Sequence, residues 1–243
     1  MARKNSNPTA ETLRELEQTG DRVAEWASEN ALLILGAIAA ILVIAGGIGL
    51  YVQHGANERD AAADALAMAT SQYRQAMGAD PIGGGIPEPA NPELAEKTRT
   101  DYVDRFTQVG LDHAGTTAGA LAWLEAGHLQ TELGRLEAAA ESFGRARDSA
   151  TGTAIAALGS IRLANLAEDR GDPETAAAAY ERAASVEPYP LRAGALADAA
   201  RCWVEAGEPE RALAAFQRLE SEHPEEIIPP QVASLIAELR LAQ

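Results

Sequence analysis

One uninterrupted apolar run dominates this sequence and limits what the chain can fold into. Residues 31–52, ALLILGAIAAILVIAGGIGLYV, are 22 residues without a charged side chain. As a helix rising about 1.5 Å per residue, the run is roughly 33 Å long, and a membrane's hydrocarbon core is about 30 Å thick. A helix satisfies its own backbone hydrogen bonds inside lipid. The sequence therefore predicts a transmembrane helix at 31–52.

A cleaved signal peptide, a lipoprotein anchor and a buried core helix are the alternatives to an uncleaved signal anchor. A signal peptide has a short basic leader, an apolar run of about 7 to 15 residues and a small-x-small cleavage site. Here the 30-residue leader carries six acidic residues, and the run ends in Tyr51-Val52-Gln53-His54. No cysteine follows the run, as a lipoprotein anchor requires. The pattern favours an uncleaved anchor, with the buried helix as the weaker alternative.

Residues 1–30 form a charged arm before the anchor. Asn7-Pro8 is typical of a helix start, and apolar residues up to Trp26 fall near one face, so the arm is either a short amphipathic helix or a solvated leader. Four basic residues precede the anchor and two follow it closely: Arg3, Lys4, Arg14 and Arg22, then Arg59 and Arg74. This bias predicts a cytoplasmic N-terminus and a C-terminal domain outside, in the periplasm of a two-membrane bacterium.

Composition narrows the class of the remaining chain, residues 53–243. Aromatic residues make up only 5% of the sequence, and alternating runs of β-branched residues are missing, which predicts an all-α fold. These residues contain 16 Lys and Arg against 30 Asp and Glu, a net charge of −14. Nucleic acid and anionic membrane surfaces are therefore unsuitable partners. The single cysteine, Cys202, rules out an intramolecular disulfide and is expected to be buried.

Residues 53–114 are predicted to form a helical hairpin with an enlarged loop. Apolar side chains recur at helical spacing in both halves: Leu66, Ala69, Tyr73 and Met77, then Tyr102, Phe106 and Val109. Gly78 suits a left-handed helix end, and Asn91-Pro92 suits a new helix start. Between them, the Gly and Pro residues of 79–92 exclude regular structure.

Residues 115–225 contain three degenerate repeats. The glycines that turn one helix into the next are 37 and 36 residues apart, and small and aromatic residues follow each at fixed distances: Gly134, Ala139 and Phe143; Gly171, Ala176 and Tyr180; Gly207, Ala212 and Phe216. Trp123 and Gly127 precede the first set. This spacing resembles the tetratricopeptide repeat, which implies an α-solenoid of helix pairs. Residues 226–243 are predicted to form its C-terminal capping helix.

The resemblance implies a concave groove lined by the first helix of each pair. The corresponding positions are Leu121, Leu124, His128 and Thr131; then Leu158, Ile161, Asn165 and Glu168; then Ala197, Arg201 and Val204. Members of the family that clamp a peptide carboxylate use a lysine where this chain has Leu124 and Ile161. The groove is therefore expected to suit extended apolar segments, although some of these positions are alternatively inter-helix core.

Signals for enzymatic chemistry are missing. The four histidines, His54, His113, His128 and His223, show no metal-ligand spacing, and no glycine-rich phosphate loop precedes a helix. Adjacent acids such as Glu168-Asp169 are typical of solvated helix faces. We therefore expect no catalytic residue, cofactor or metal site, and a function in protein binding.

The order of segments along the whole chain also resembles a more specific family. An acidic arm with VAEWASEN, a signal anchor, YVQ, the helix ERDAAADALAMATSQYRQAM and degenerate repeats are similar to the YfgM-like ancillary subunits of the bacterial Sec translocon. The resemblance implies a periplasmic domain held beside a SecYEG-type translocon in the inner membrane. It also implies action with a membrane-anchored prolyl-isomerase-like chaperone on exported client chains. The alternative is a scaffold of another envelope complex, such as cytochrome maturation, pilus or division machinery.

Overall fold

The computed structural model describes residues 26, 29–80, 85–87 and 89–241, with the side chains of 34, 35, 37–41 and 48 outside that set. Across these residues the regular structure is helical, with no strand, which confirms the all-α class. The helices are α1 (Ala31–Ala76), α2 (Pro92–Asp112), α3 (Thr117–Glu132), α4 (Leu136–Ser149), α5 (Ala154–Asp169), α6 (Pro173–Ala184), α7 (Arg192–Glu205), α8 (Pro209–Glu222) and α9 (Pro230–Leu241).

The predicted anchor at 31–52 falls in the first part of α1. Its backbone is helical there, while several of its side chains lie outside the described residues. Within the described part of the chain, no helix meets the length and apolarity needed to cross a membrane. The predicted arm helix lies outside the described residues except for Trp26. By its contacts the chain divides into one unit up to Ala56 and another from Asn57.

The second unit begins with a helical hairpin made by the end of α1 and by α2. Tyr73 packs against Tyr102 and Phe106, with ring centroids 5.3 and 6.3 Å apart. Helix α2 starts at an N-cap in which the Asn91 side chain accepts hydrogen bonds from the backbone N–H groups of Glu93 and Leu94. The connection leaves α1 through Gly78, whose φ of +82° is the predicted left-handed conformation.

Three helix pairs follow the hairpin: α3 with α4, α5 with α6, and α7 with α8. Each pair turns at one of the aligned glycines, Gly134, Gly171 and Gly207, which have φ values of +70°, +71° and +76°. A side chain would strain that conformation, so the repeated glycine has a structural cause. Each helix packs against the next along the chain, and α2 packs against α3 in the same way. The adjacent helices therefore stack as a tetratricopeptide-like solenoid.

Small residues let these helices approach closely. A Cβ atom added at Gly127 of α3 would lie 2.5 Å from the ring of Phe143 in α4, so the glycine and the aromatic of the first repeat are in direct contact. The matching positions in the other repeats hold Ala164 and Tyr180, and Ala200 and Phe216, all buried in one shared core. Packing around an alanine-rich core thus follows from the spacing of these residues.

The last helix covers the end of the stack. Helix α9 packs against α7 and α8, and it buries Val232 and Ile236 in the core that α5 to α8 share. Leu239 packs partly against the same core. Gln231, Ser234 and Glu238 are exposed on the other side of α9, as suits a terminal element of a repeat stack.

Candidate functional site

A groove lies between α1 and α3. Its volume is about 910 Å³. Small and apolar side chains form much of its surface, and polar groups stand along the edges: Ala63, Leu66, Ala67, Ala79, Ala118 and Leu121, with Arg59, Thr70, Ser71, Arg74, Gln75, Asp80, Thr116 and Thr117. Both walls belong to first helices of successive helix pairs, so this groove is one end of the surface that the sequence predicts to bind peptides.

The groove continues past Thr70 and Arg74 into a second pocket of about 440 Å³, whose lining includes the same two residues. Tyr73, Met77 and Phe106 form an apolar floor there. The far wall is the polar face of α3: Glu125, His128 and Glu132. The two pockets together make one groove that changes from apolar to polar along its length.

Charges in the polar part of the groove are mostly engaged with one another. The guanidinium of Arg99 donates a hydrogen bond of 2.7 Å to Glu132, and His128 lies 3.5 Å from the other oxygen of that carboxylate. Within the part of the chain that the structure describes, Arg59 and Glu125 have no ion-pair partner. These two side chains therefore leave one positive and one negative charge available at the groove.

Between α5 and α7, the surface that corresponds to the groove is filled by a network of polar side chains. The carboxylate of Glu168 accepts hydrogen bonds from the hydroxyl of Tyr180, the guanidinium of Arg201 at 2.6 Å and the thiol of Cys202 at 3.6 Å. Although burial alone raises it, the hydrogen bonds from Tyr180 and Arg201 hold the pKa of Glu168 below its usual value. The network therefore fixes α6 and α7 against α5.

The same surroundings also shift the pKa values of residues near Glu168. Burial raises the pKa of Cys202 to about 12, with a further contribution from Glu168, so the thiol stays protonated and unreactive at neutral pH. Burial also raises the pKa of Asp198, which lies 3.6 Å from Arg201. The arrangement is a closed ion-pair network with little capacity for acid–base chemistry.

A metal ion would have to compete with an arginine at this place. Ligand atoms of Glu168, Cys202 and Glu205 lie within 4.8 Å of one another. The guanidinium of Arg201, however, already bonds both carboxylates, at 2.6 Å to Glu168 and 3.0 Å to Glu205. We therefore assign the cluster to the internal packing of the repeats.

A comparison with known protein families finds one family with this architecture. A family model described as the Tetratricopeptide repeat-like domain matches residues 24–218, most of the chain. The chain belongs to this family. Membership implies protein partners and a function in protein–protein interaction. A comparison with curated proteins gives no significant match.

Within this tetratricopeptide-repeat-like domain, the predicted groove residues occupy different environments. Leu121 and His128 line the groove, Thr131 bonds the carbonyl of Gly127, and Leu158 is 38% exposed. Leu124, Ile161 and Val204 pack partly against the core.

The remaining predicted positions belong to the network or to the core. The side chain of Asn165 lies 2.8 Å from the Tyr180 hydroxyl, and Glu168 and Arg201 pair with each other. Ala197 is only 3% exposed, so it is part of the core that α5 to α8 share. Binding of a peptide at any of the predicted positions stays a prediction.

Sequence reasoning missed the wall that α1 contributes. Ala63, Ala67 and Thr70 flank the predicted stripe of Leu66, Ala69, Tyr73 and Met77, at spacings of three and four residues. The repeat pattern begins only at α3, so alignment of the repeats does not reach this helix. The available signal was the width of the apolar face of α1, which is broader than packing on one neighbour requires.

Proposed function

We propose that this protein binds extended apolar segments of other proteins in the groove between α1 and α3. The single observation that carries the proposal is the largely apolar groove with polar edges, since such a surface contacts apolar side chains while hydroxyl and amide groups meet a peptide backbone. Binding of this kind tolerates many sequences and requires no enzymatic step. It is the behaviour of a chaperone.

We further propose that residues 31–52 anchor the protein in the inner membrane. The support is the sequence, 22 residues without a charge, together with a basic bias before the run that favours a cytoplasmic N-terminus and a periplasmic domain. A tether raises the effective concentration of a weak binder near its clients. A shallow groove of modest affinity is then sufficient for capture.

Within that setting the proposed role is that of an ancillary subunit of a SecYEG-type translocon. It would receive exported chains and act beside a membrane-anchored prolyl-isomerase-like chaperone. The support is the resemblance of the segment order to YfgM-like proteins, in addition to family membership. A scaffold for another envelope complex is the competing role, and it predicts one folded partner instead of many unfolded ones.

Binding of an unfolded protein tests the proposed groove. The full-length chain in lipid nanodiscs is titrated with a fluorescent, reduced and carboxymethylated protein that cannot fold. Leu121→Glu places a charge in the groove and should weaken binding about tenfold or more. Leu191, 63% exposed and outside the groove, supplies the control Leu191→Glu, which should leave binding unchanged. Equal binding by both variants, each with native helicity, would overturn the proposal.

A further inference from the structure

The groove between α1 and α3 carries opposite charges at its two ends. Arg59 stands at the start of the groove, before the apolar stretch that contains Leu66 and Leu121. Glu125 stands on the continuation of α3, in the second pocket. Helix α2 runs antiparallel to both α1 and α3, so α1 and α3 run parallel to each other. Their N-terminal ends therefore lie at the same end of the groove.

Other charges along the groove compensate one another. Arg74 and Asp80, one of each sign, line the groove near the end of α1, and Arg74 also lines the second pocket. At the far end, Glu132 is bound by Arg99 and His128. Arg59 and Glu125 are the charged residues lining the groove that have no ion-pair partner in the described part of the chain.

The length of the groove limits the size of the segment it holds. The stretch of α1 from Arg59 to Arg74 is roughly 22 Å long at about 1.5 Å per residue. An extended peptide rises about 3.3 Å per residue, so about six or seven residues span this distance. A segment of that length reaches both unpaired charges at once.

We propose that the groove selects apolar segments of about six residues that carry an acidic group at one end and a basic group at the other. The acidic group pairs with Arg59 and the basic group with Glu125, while the apolar side chains between them contact Leu66 and Leu121. This inference rests on the proposed binding of apolar segments and adds the charge pattern of the ligand. Complementary charges of this kind fix the register of a ligand.

A segment with two acidic or two basic ends meets a residue of like charge at one end of the groove. A segment with two acidic ends meets Glu125 and also the net charge of −14 on residues 53–243. A segment with two basic ends is attracted by that net charge, yet it places a cation beside Arg59. The overall charge alone would rank the basic segment first, so the ranking of the three patterns separates a local effect from a general one.

Four labelled peptides of three charge patterns test this inference on the full-length chain in lipid nanodiscs. All share a core of Leu and Ala residues and have blocked termini; their ends are acidic and basic, both acidic, or both basic, and the first is made in both chain orders. Fluorescence anisotropy at low salt should show the mixed peptide in its better order binding about fivefold more tightly than the other two patterns.

Charge reversals identify the groups responsible. Arg59→Glu should make the peptide with two basic ends the tightest ligand, and Glu125→Lys should do the same for the peptide with two acidic ends. The matched controls are Arg162→Glu and Glu96→Lys, which change an exposed charge outside the groove by the same amount. They should preserve the preference for the mixed peptide.

The outcomes separate this inference from the proposed function. If the three patterns bind alike but Leu121→Glu abolishes binding, the groove binds apolar segments without reading charge, and the inference is overturned alone. If the preference survives both charge reversals, it originates elsewhere and the inference is also overturned. If no peptide binds the wild-type chain, the proposed function itself fails.

Discussion

The structure gives Glu168 a different role from the one that the sequence predicts. It lies 26% exposed on the concave side of α5, where the repeat pattern predicts a ligand contact. Its oxygens instead accept hydrogen bonds from Tyr180 of α6 and from Arg201 and Cys202 of α7. A partly buried carboxylate with this many donors is a structural group, because removing it leaves donors unpaired.

Glu168→Gln tests that role. The substitution should lower the free energy of unfolding by about 1–3 kcal/mol at pH 7, since a neutral amide forms weaker bonds to Arg201 and Tyr180. Because the pKa of Glu168 is lowered in the folded protein, its stabilising effect is present above its ordinary pKa of 4.5 and is lost as the pH falls through the folded value. Urea unfolding from pH 7 to pH 3 measures both effects.

The matched control is Glu137→Gln. Glu137 pairs with Arg170 at 3.2 Å, yet its side chain is 89% exposed, so the loss should stay within about 1 kcal/mol. Equal losses for Glu137→Gln and Glu168→Gln, or a pH-independent loss at Glu168, would contradict the proposed network.

Alanine substitutions at two glycines distinguish a close contact between helices from an open surface. A Cβ atom at Gly159 of α5 would lie 2.9 Å from the amide nitrogen of Arg147 and 2.9 Å from the carbonyl oxygen of Phe143, both backbone atoms of α4. Backbone cannot move aside cheaply, so Gly159→Ala should destabilise the domain by roughly 1–3 kcal/mol despite the better helix propensity of alanine.

Gly144→Ala is the opposite case, because a Cβ atom there meets nothing within 4 Å. It should stabilise α4 by about 0.5–1 kcal/mol through propensity alone. Thermal unfolding of both variants measures the difference. Stabilisation by both substitutions would show that α4 and α5 are not in the close contact described.

The terminal helix offers a further test of packing. Ile236 of α9 is 1% exposed in the core, so Ile236→Ala should cost about 2–4 kcal/mol. Ile227, 89% exposed before α9, should tolerate Ile227→Ala within about 0.5 kcal/mol. Hydrogen exchange should accelerate in α9 and at the ends of α7 and α8 in the first variant. Unchanged exchange there would mean that α9 does not cover the stack.

At the scale of elements, local patterns predicted the helices and their turns. The aligned glycines mark turns that require positive φ, and Asn91 marks a helix start through its side-chain cap, so both signals have causes within a few residues. The groove depends instead on which helix neighbours α3. That neighbour is α1, outside the recognised repeats, and its contribution follows from packing that no single repeat specifies.

The predicted groove positions occupy different environments in the structure, and peptide binding at them stays a prediction. Leu121 and His128 line the groove, but repeat periodicity cannot show that Tyr180 reaches Asn165 and Glu168 and closes the surface there. Long side chains decide which concave positions stay open. Tyr180 lies 12 residues from Glu168 within one helix pair, and Arg201 of the next pair, 33 residues from Glu168, bonds the same carboxylate.

The whole molecule combines an apolar N-terminal run with a tetratricopeptide-repeat-like domain that carries the groove between α1 and α3. Family membership covers residues 24–218 and establishes a domain for protein partners. The anchor, the periplasmic location and the exported clients form one proposal, because a tethered groove of low affinity is useful only where unfolded segments are abundant. A test in cells examines these parts together.

Site-specific photocrosslinking in living cells tests that central claim most directly. A photoreactive amino acid replaces Leu121 in the groove, Ala45 in the apolar run or, as a control outside the groove, Arg162, and crosslinked proteins are identified by mass spectrometry. The account predicts many exported proteins at Leu121, translocon subunits at Ala45 and neither at Arg162. A single folded partner at both Leu121 and Ala45, without translocon subunits, would contradict the account and support a scaffold of another complex.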